Sequence, residues 1–161
     1  MAQYSFVTRW DIDAPSEQVW DVIVDSKAYP QWWKYVARVD LIRPGDKDGI
    51  GRVDRVHWTT ALPYSLTFES EIIVREPPRV LEFVARGQLQ GSGRWELGEA
   101  DGTTTTIFRW KVATTKLWMN LAGHLLRPAF RWNHDVLMKE GGEALARRLG
   151  SRITVNSTHE D

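Results

Sequence analysis

The chain has 161 residues, with 21 Lys+Arg against 21 Asp+Glu for a formal net charge of +0. That length suits one domain with a sizeable core, and the absence of Cys excludes disulfides, thiolate catalysis and Cys-ligated zinc or iron–sulfur centres. A neutral balance argues against nucleic-acid binding, which rests on excess Lys and Arg to neutralise phosphates.

Taken in order, Tyr4, Phe6, Thr8, Trp10 and Ile12 alternate with polar residues and predict a half-buried strand. No basic region followed by an apolar run marks the start as a secretory signal, and no stretch has the apolar length of a membrane span, so a cytoplasmic protein is expected. Ala14 to Val24 reads as a helix, with Ser16 or Asp13 as its cap and Val19, Trp20, Ile23 and Val24 as its apolar face. A second short helical turn falls between Lys27 and Trp33. Alternation then predicts strands over 35–41, 50–59, 64–72, 81–86, 88–97 and 103–112, broken by Arg43–Gly49, Leu62-Pro63, Pro77-Pro78, Arg86-Gly87 and Asp101-Gly102. From Lys116 to Leu149 the period becomes helical. Phe130, Asn133/His134, Leu137, Gly141, Ala144/Leu145 and Arg148 mark one stripe, and Pro128 is expected to kink or restart the helix. Residues 1–150 form one domain in this reading, and the polar segment 151–161 is a flexible tail.

Strands joined by short turns, flanked by two early helices and one late one, give an α+β fold with an antiparallel sheet. One helix cannot cover so wide a sheet unless the sheet curls around it. Gly91 and Gly93 lie on the inward phase of their strand, where a bend needs glycine and a missing side chain leaves space. An interior cavity is the expected result.

The segment Ile12-Asp13-Ala14-Pro15-Ser16-Glu17-Gln18-Val19-Trp20 is followed by Asp25 and Tyr29-Pro30-Gln31-Trp32. Further on come Pro77-Pro78 with Leu81-Glu82-Phe83, then Gly91-Ser92-Gly93-Arg94-Trp95, then the long terminal helix. In these features the chain resembles the START/Bet v 1-like (SRPBCC) superfamily, in particular its bacterial polyketide cyclase/dehydrase and lipid-transport group. The resemblance spans about residues 3–149. It implies a helix-grip fold, with about seven strands wrapped around a C-terminal helix and a hydrophobic tunnel between them. That fold hosts carriers, receptors, enzymes and partner modules alike, so it does not choose among functions.

The residues exclude several chemistries. His57, His124, His134 and His159 are scattered without ligand spacing, so no metal is expected. Neither Gly49-Ile50-Gly51 nor Gly91-Ser92-Gly93 precedes a helix that could hold a phosphate, and no nucleophile elbow occurs, so no cofactor is expected. What remains is an apolar cavity. Trp58, Tyr64, Phe68, Phe83, Trp95, Phe108 and Trp110 from the strands, with Trp118, Met119, Phe130, His134 and Leu137 from the helix, are its expected lining. Any one of these aromatics could equally be plain core.

Three functions stay open. The first is binding, with possible transport, of a lipid-like or aromatic small molecule. The second is a cyclase/dehydratase acting by general acid–base chemistry, with His134 and Tyr64 as its catalytic candidates and Asp135, His57, Asp54 and Arg94 as weaker ones. The third is a protein-interaction module with a vestigial cavity, exposing apolar surface around Trp32, Trp33 or Trp118. The amphipathic run Lys116–Leu126 is either a gate or transient membrane contact, or simply the first turns of the core helix; only Lys116 and Arg127 supply basic anchors. The 9 Trp divide among the early helices, the strands and the terminal helix, which predicts that several indoles line the cavity.

Overall fold

Alternation of apolar and polar side chains builds β1 (Gln3–Ile12), whose Tyr4, Phe6, Thr8, Trp10 and Ile12 are all buried. The computed structural model describes residues 3–161. After β1 come α1 (Ser16–Val24), a 3₁₀ turn at Ser26–Ala28 and the short α2 (Tyr29–Trp32). Six strands follow: β2 (Val36–Arg43), β3 (Val53–Thr59), β4 (Ser65–Glu76), β5 (Val80–Gly87), β6 (Leu89–Ala100) and β7 (Thr103–Thr114). The long α3 (Leu117–Arg148) and a last strand, β8 (Ile153–Glu160), complete the chain.

All strands pair antiparallel in one sheet of order β2-β3-β4-β5-β6-β7-β1-β8. The fold is the expected α+β helix grip, with eight strands rather than about seven. The extra strand corrects the reading of 151–161 as a flexible tail. Thr158 lies opposite Thr8 with their hydroxyls 2.8 Å apart, and Phe6 pairs with Glu160. Backbone pairing with β1 and contacts with α3 through Ile153, Asn156 and Glu160 hold this strand, whose apolar residues are too few for hydrophobic periodicity to reveal it.

Local chemistry sets the remaining joints. Asp101 (φ 52°) and Gly102 (φ 78°) make the tight turn that joins β6 to β7. The expected cap of α1 is not made. Pro15 precedes the helix, the Ser16 N–H donates to Glu99 on β6 at 2.6 Å, and Asp13 instead holds Thr103 and Arg152. Pro128 does not restart α3, which runs as one helix through it. The stripe from Phe130 to Leu145 faces the sheet as expected, whereas Arg148 beyond it is exposed.

Small residues let α3 approach the sheet and the early helices. A Cβ on Gly141 would sit 2.5 Å from the Trp33 ring, and one on Gly142 would sit 2.7 Å from Trp10 Nε1. The indoles also connect across elements. Trp32 stacks on Trp33, which meets Trp10 and Trp58 edge-on; Trp10 meets Trp95, and Phe108 joins Trp95 to Trp110. The early-helix tryptophans are therefore continuous with those of the strands.

Candidate functional site

Helical periodicity places Met119, Phe130 and Leu137 within about 20° of one another around α3. All three are buried and face the sheet. Opposite them stand the inward residues of the strands: Tyr4 and Phe6 of β1, Trp58 of β3, Leu66 and Phe68 of β4, Phe83 of β5, and Phe108 and Trp110 of β7. They enclose an apolar cavity of about 120 Å³. An apolar cavity of about 150 Å³ holds a benzene molecule, so this lobe suits one aromatic ring or a short alkyl segment.

A second lobe of about 390 Å³ lies on the far side of Trp58, Phe68, Phe83 and Phe108, which line both. It runs under the β2–β3 loop (44–49), between α1 and the sheet, and includes Trp33 and Trp95. Glycine makes room at the divide: a Cβ on Gly93 would lie 2.3 Å from the Phe83 ring. Together the lobes reach the roughly 300–1,000 Å³ typical of small-molecule sites.

A few polar groups interrupt the apolar wall. The Tyr64 hydroxyl accepts a hydrogen bond from Asn133 Nδ2 at 3.2 Å, and Asn133 Oδ1 accepts one from the Ala61 N–H at 2.8 Å. Burial pushes the Tyr64 phenol up to about 12, so it stays protonated at neutral pH. The Tyr4 hydroxyl is buried and has no hydrogen-bond partner among the described residues; burial raises its pKa, and the Arg127 guanidinium opposes that rise. Both ring nitrogens of His134 are buried and make no hydrogen bond within 3.5 Å among the described residues. Burial lowers the His134 pKa, with the Asp135 carboxylate, 4.0 Å away, opposing the effect. The imidazole is therefore neutral at pH 7. Buried polar groups are normally satisfied, so unmet donors and acceptors on a cavity wall are sites where a guest gains hydrogen bonds without displacing a protein partner.

The second lobe carries charged groups that the first lacks: Asp46, Lys47, Asp48, Arg52, Asp54 and Arg75. The buried Asp54 carboxylate accepts from Ser26 Oγ at 2.7 Å and from Arg52 Nε at 3.1 Å. Nearby, the Tyr29 hydroxyl donates to the Ile23 carbonyl, and burial followed by the Asp54 charge raises its pKa. This lobe is thus lined by both apolar and charged side chains.

Of the expected lining, Trp58, Tyr64, Phe68, Phe83, Phe108, Trp110, Met119, Phe130, His134 and Leu137 border the smaller lobe. Trp95 borders the larger one. Trp118 borders neither; it is 42% exposed and packs edge-on against Tyr64 and Phe130 from outside. Asp54 faces inward, whereas His57 pairs with Thr67 and Asp40 on the outer side. Arg94 sits among Glu82 and Glu96, away from both lobes, and Asp135 is exposed beside His134. Sequence reasoning left out Tyr4, Phe6, Asn133 and Met138 as lining, along with Thr60, Leu66, Leu89, Val112 and Thr114. The inward phase of β1 carries a signal for the first two. Their place beside the cavity depends on β1 pairing with β7, which alternation does not encode.

A search of curated proteins finds no sequence match. Solved structures do share the fold. The ZhuI aromatase/cyclase from Streptomyces sp. R1128 superposes with a TM-score of 0.75 at 18% identity, over 92% of this chain and 94% of that one. The di-domain aromatase/cyclase BexL from the BE-7585A biosynthetic pathway gives 0.72 at 21% identity, covering 94% of this chain and 51% of the two-domain protein. A START superfamily protein from Mycobacterium smegmatis gives 0.67 at 14% identity, over 91% and 97% of the two chains. The sequence profile of one family matches residues 3–150, nearly the whole chain. The chain therefore belongs to the polyketide cyclase / dehydrase and lipid transport family.

Proposed function

We propose that the protein binds a hydrophobic or amphipathic small molecule, aromatic or lipid-like, in the two lobes between the sheet and α3. The observation that carries this reading is an apolar, aromatic-walled cavity holding buried polar atoms on Tyr4 and His134 that make no hydrogen bond among the described residues. Such a wall recognises a mostly apolar guest, and the isolated polar atoms orient it through a carbonyl or hydroxyl. The larger lobe, with Asp54 and Arg52 in its lining, takes the more polar end. Native mass spectrometry of the purified protein, followed by solvent extraction, tests this. A stoichiometric apolar adduct lost on extraction supports the reading. Uniformly empty protein that also fails to take up aromatic phenols or fatty acids contradicts it.

A second reading rests on the neutral state of His134. An unprotonated imidazole in an apolar site, with no hydrogen bond among the described residues, is suited to act as a general base. It would take a proton from a carbon between two carbonyl groups, forming imidazolium and an enolate. Tyr64 already accepts from Asn133, so its own O–H is free to hydrogen-bond the enolate oxygen. Cyclisation or dehydration of a polyketone would follow from that enolate. Loss of at least about a hundredfold in turnover for both His134→Phe and Tyr64→Phe, with binding retained, is the expected signature. Unchanged turnover in both variants removes His134 and Tyr64 from the catalytic roles.

A further inference from the structure

The N-terminal half of α3 is apolar on two faces. Its inner face closes the cavity. On its outer face Leu117 is 73% exposed, Leu121 76%, Leu125 87%, Trp118 42% and Trp132 52%. At 100° per residue these five fall within an arc of about 100°, forming one continuous stripe with a tryptophan near each end. The other large exposed hydrophobics, Leu41, Ile42, Leu126 and Ile73, include no comparable run.

Charge along the stripe is mostly positive, with Asp135 on the helix and Glu160 on β8 as its acidic neighbours. No Asp or Glu occurs between Asp101 and Asp135, while Lys116, Arg127 and Arg131 lie along this part of the helix. Arg127 and Arg131 share the single carboxylate of Glu160, and Lys116 donates only to the Ser65 carbonyl. Positive charge is left over beside the stripe, although the whole chain is neutral.

We propose that this outer face of α3 docks on an anionic lipid surface. A leucine stripe bounded by tryptophans and flanked by basic side chains matches the layering of a membrane interface: leucines toward the acyl boundary, indoles at headgroup depth, cations near phosphates. A second copy of the chain fits less well, because a symmetric pairing of this face brings Lys116, Arg127 and Arg131 of each copy together with only Glu160 and Asp135 to offset them. The helix does not cross the bilayer, since no described helix is long and apolar enough to do so. The few basic groups make the attachment weak and reversible. Docking would also set the cavity against the lipid: Trp118 touches Tyr64 and Phe130 of the wall, and Arg127 lies 4.9 Å from the Tyr4 ring.

Vesicle co-sedimentation tests the proposal without any ligand, so its outcome is separable from that of the cavity reading. The full chain is mixed with phosphatidylcholine vesicles, with or without about one third phosphatidylglycerol. Binding to the anionic vesicles at least about fivefold above that to neutral ones, falling at about 0.5 M salt, is expected. Leu121→Asp combined with Leu125→Asp should reduce it about tenfold or more, because both side chains are exposed and their replacement leaves the core intact. Ile42→Asp, an exposed apolar position on β2, should bind like the unaltered chain. Equal binding by the Leu121/Leu125 double variant, or no binding to anionic vesicles, overturns the proposal. So does a dimer, seen by sedimentation equilibrium, that the same double variant dissolves.

Discussion

The imidazole of His134 lies flat on the ring of Phe6, with centroids 4.1 Å apart and 14° between planes. The contact joins α3 to β1 at the cavity wall and keeps the imidazole in an apolar setting. Its native pKa is lowered by burial, whereas in the unfolded chain it returns to about 6.5. Below that value the unfolded state binds the extra proton, so stability falls as pH drops from about 6.5 toward the lowered native value, then levels off for this group. Asp11, held down first by its hydrogen bonds from Arg9, contributes only in a more acid window, below about pH 4. His134→Phe should preserve the stacking on Phe6 and flatten the slope just below about pH 6.5, measured by urea unfolding. An unchanged slope would assign that window to other groups.

The close approach of α3 to two indoles makes a second prediction. Gly141→Ala and Gly142→Ala each improve helix propensity by about 1 kcal/mol. Each also forces a Cβ to within 3 Å of a rigid buried indole, Trp33 and Trp10 respectively, and overpacking costs about 1–3 kcal/mol. The net expectation is destabilisation of up to about 2 kcal/mol for each, read as a lower urea midpoint. An increase in stability would show that the tryptophans yield without strain.

Removing β8 supplies the third. Ending the chain at Gly150 leaves β1 as an open edge, with Thr8 stripped of its Thr158 partner and Asp13 of Arg152. Exposed edges pair with other chains, so the shortened protein should lose thermal stability and self-associate, as followed by light scattering during a melt. A truncated chain that melts like the intact one would make β8 dispensable.

The fold was legible where hydrophobic periodicity was strong. Residues 64–72 alternate cleanly and become β4, and Asp101-Gly102 becomes the β6–β7 turn. Most of the cavity wall was also legible, because inward phase on a curled sheet implies facing α3. Three features were not. β8 carries only Ile153 and Val155 as apolar residues and depends on its partner strand. The cap of α1 depends on Glu99, a residue 83 positions away from Ser16. Trp118 shares the helical segment of Met119, yet one residue turns a helix by about 100°, which separates the cavity wall from the surface. Sequence spacing gave no way to choose which side of α3 the sheet would take at that turn.

The most direct measurement of the central claim is a tryptophan-fluorescence titration with a one-ring phenol such as p-cresol, comparing the unaltered chain with Leu137→Phe. Leu137 is buried on the wall of the 120 Å³ lobe, so a ring added there occupies the space a guest would take. Saturable binding by the unaltered chain, weakened about tenfold or more in a Leu137→Phe variant that still unfolds cooperatively, is the predicted result. No saturable binding, or equal affinity in the folded variant, would contradict a ligand site between the sheet and α3.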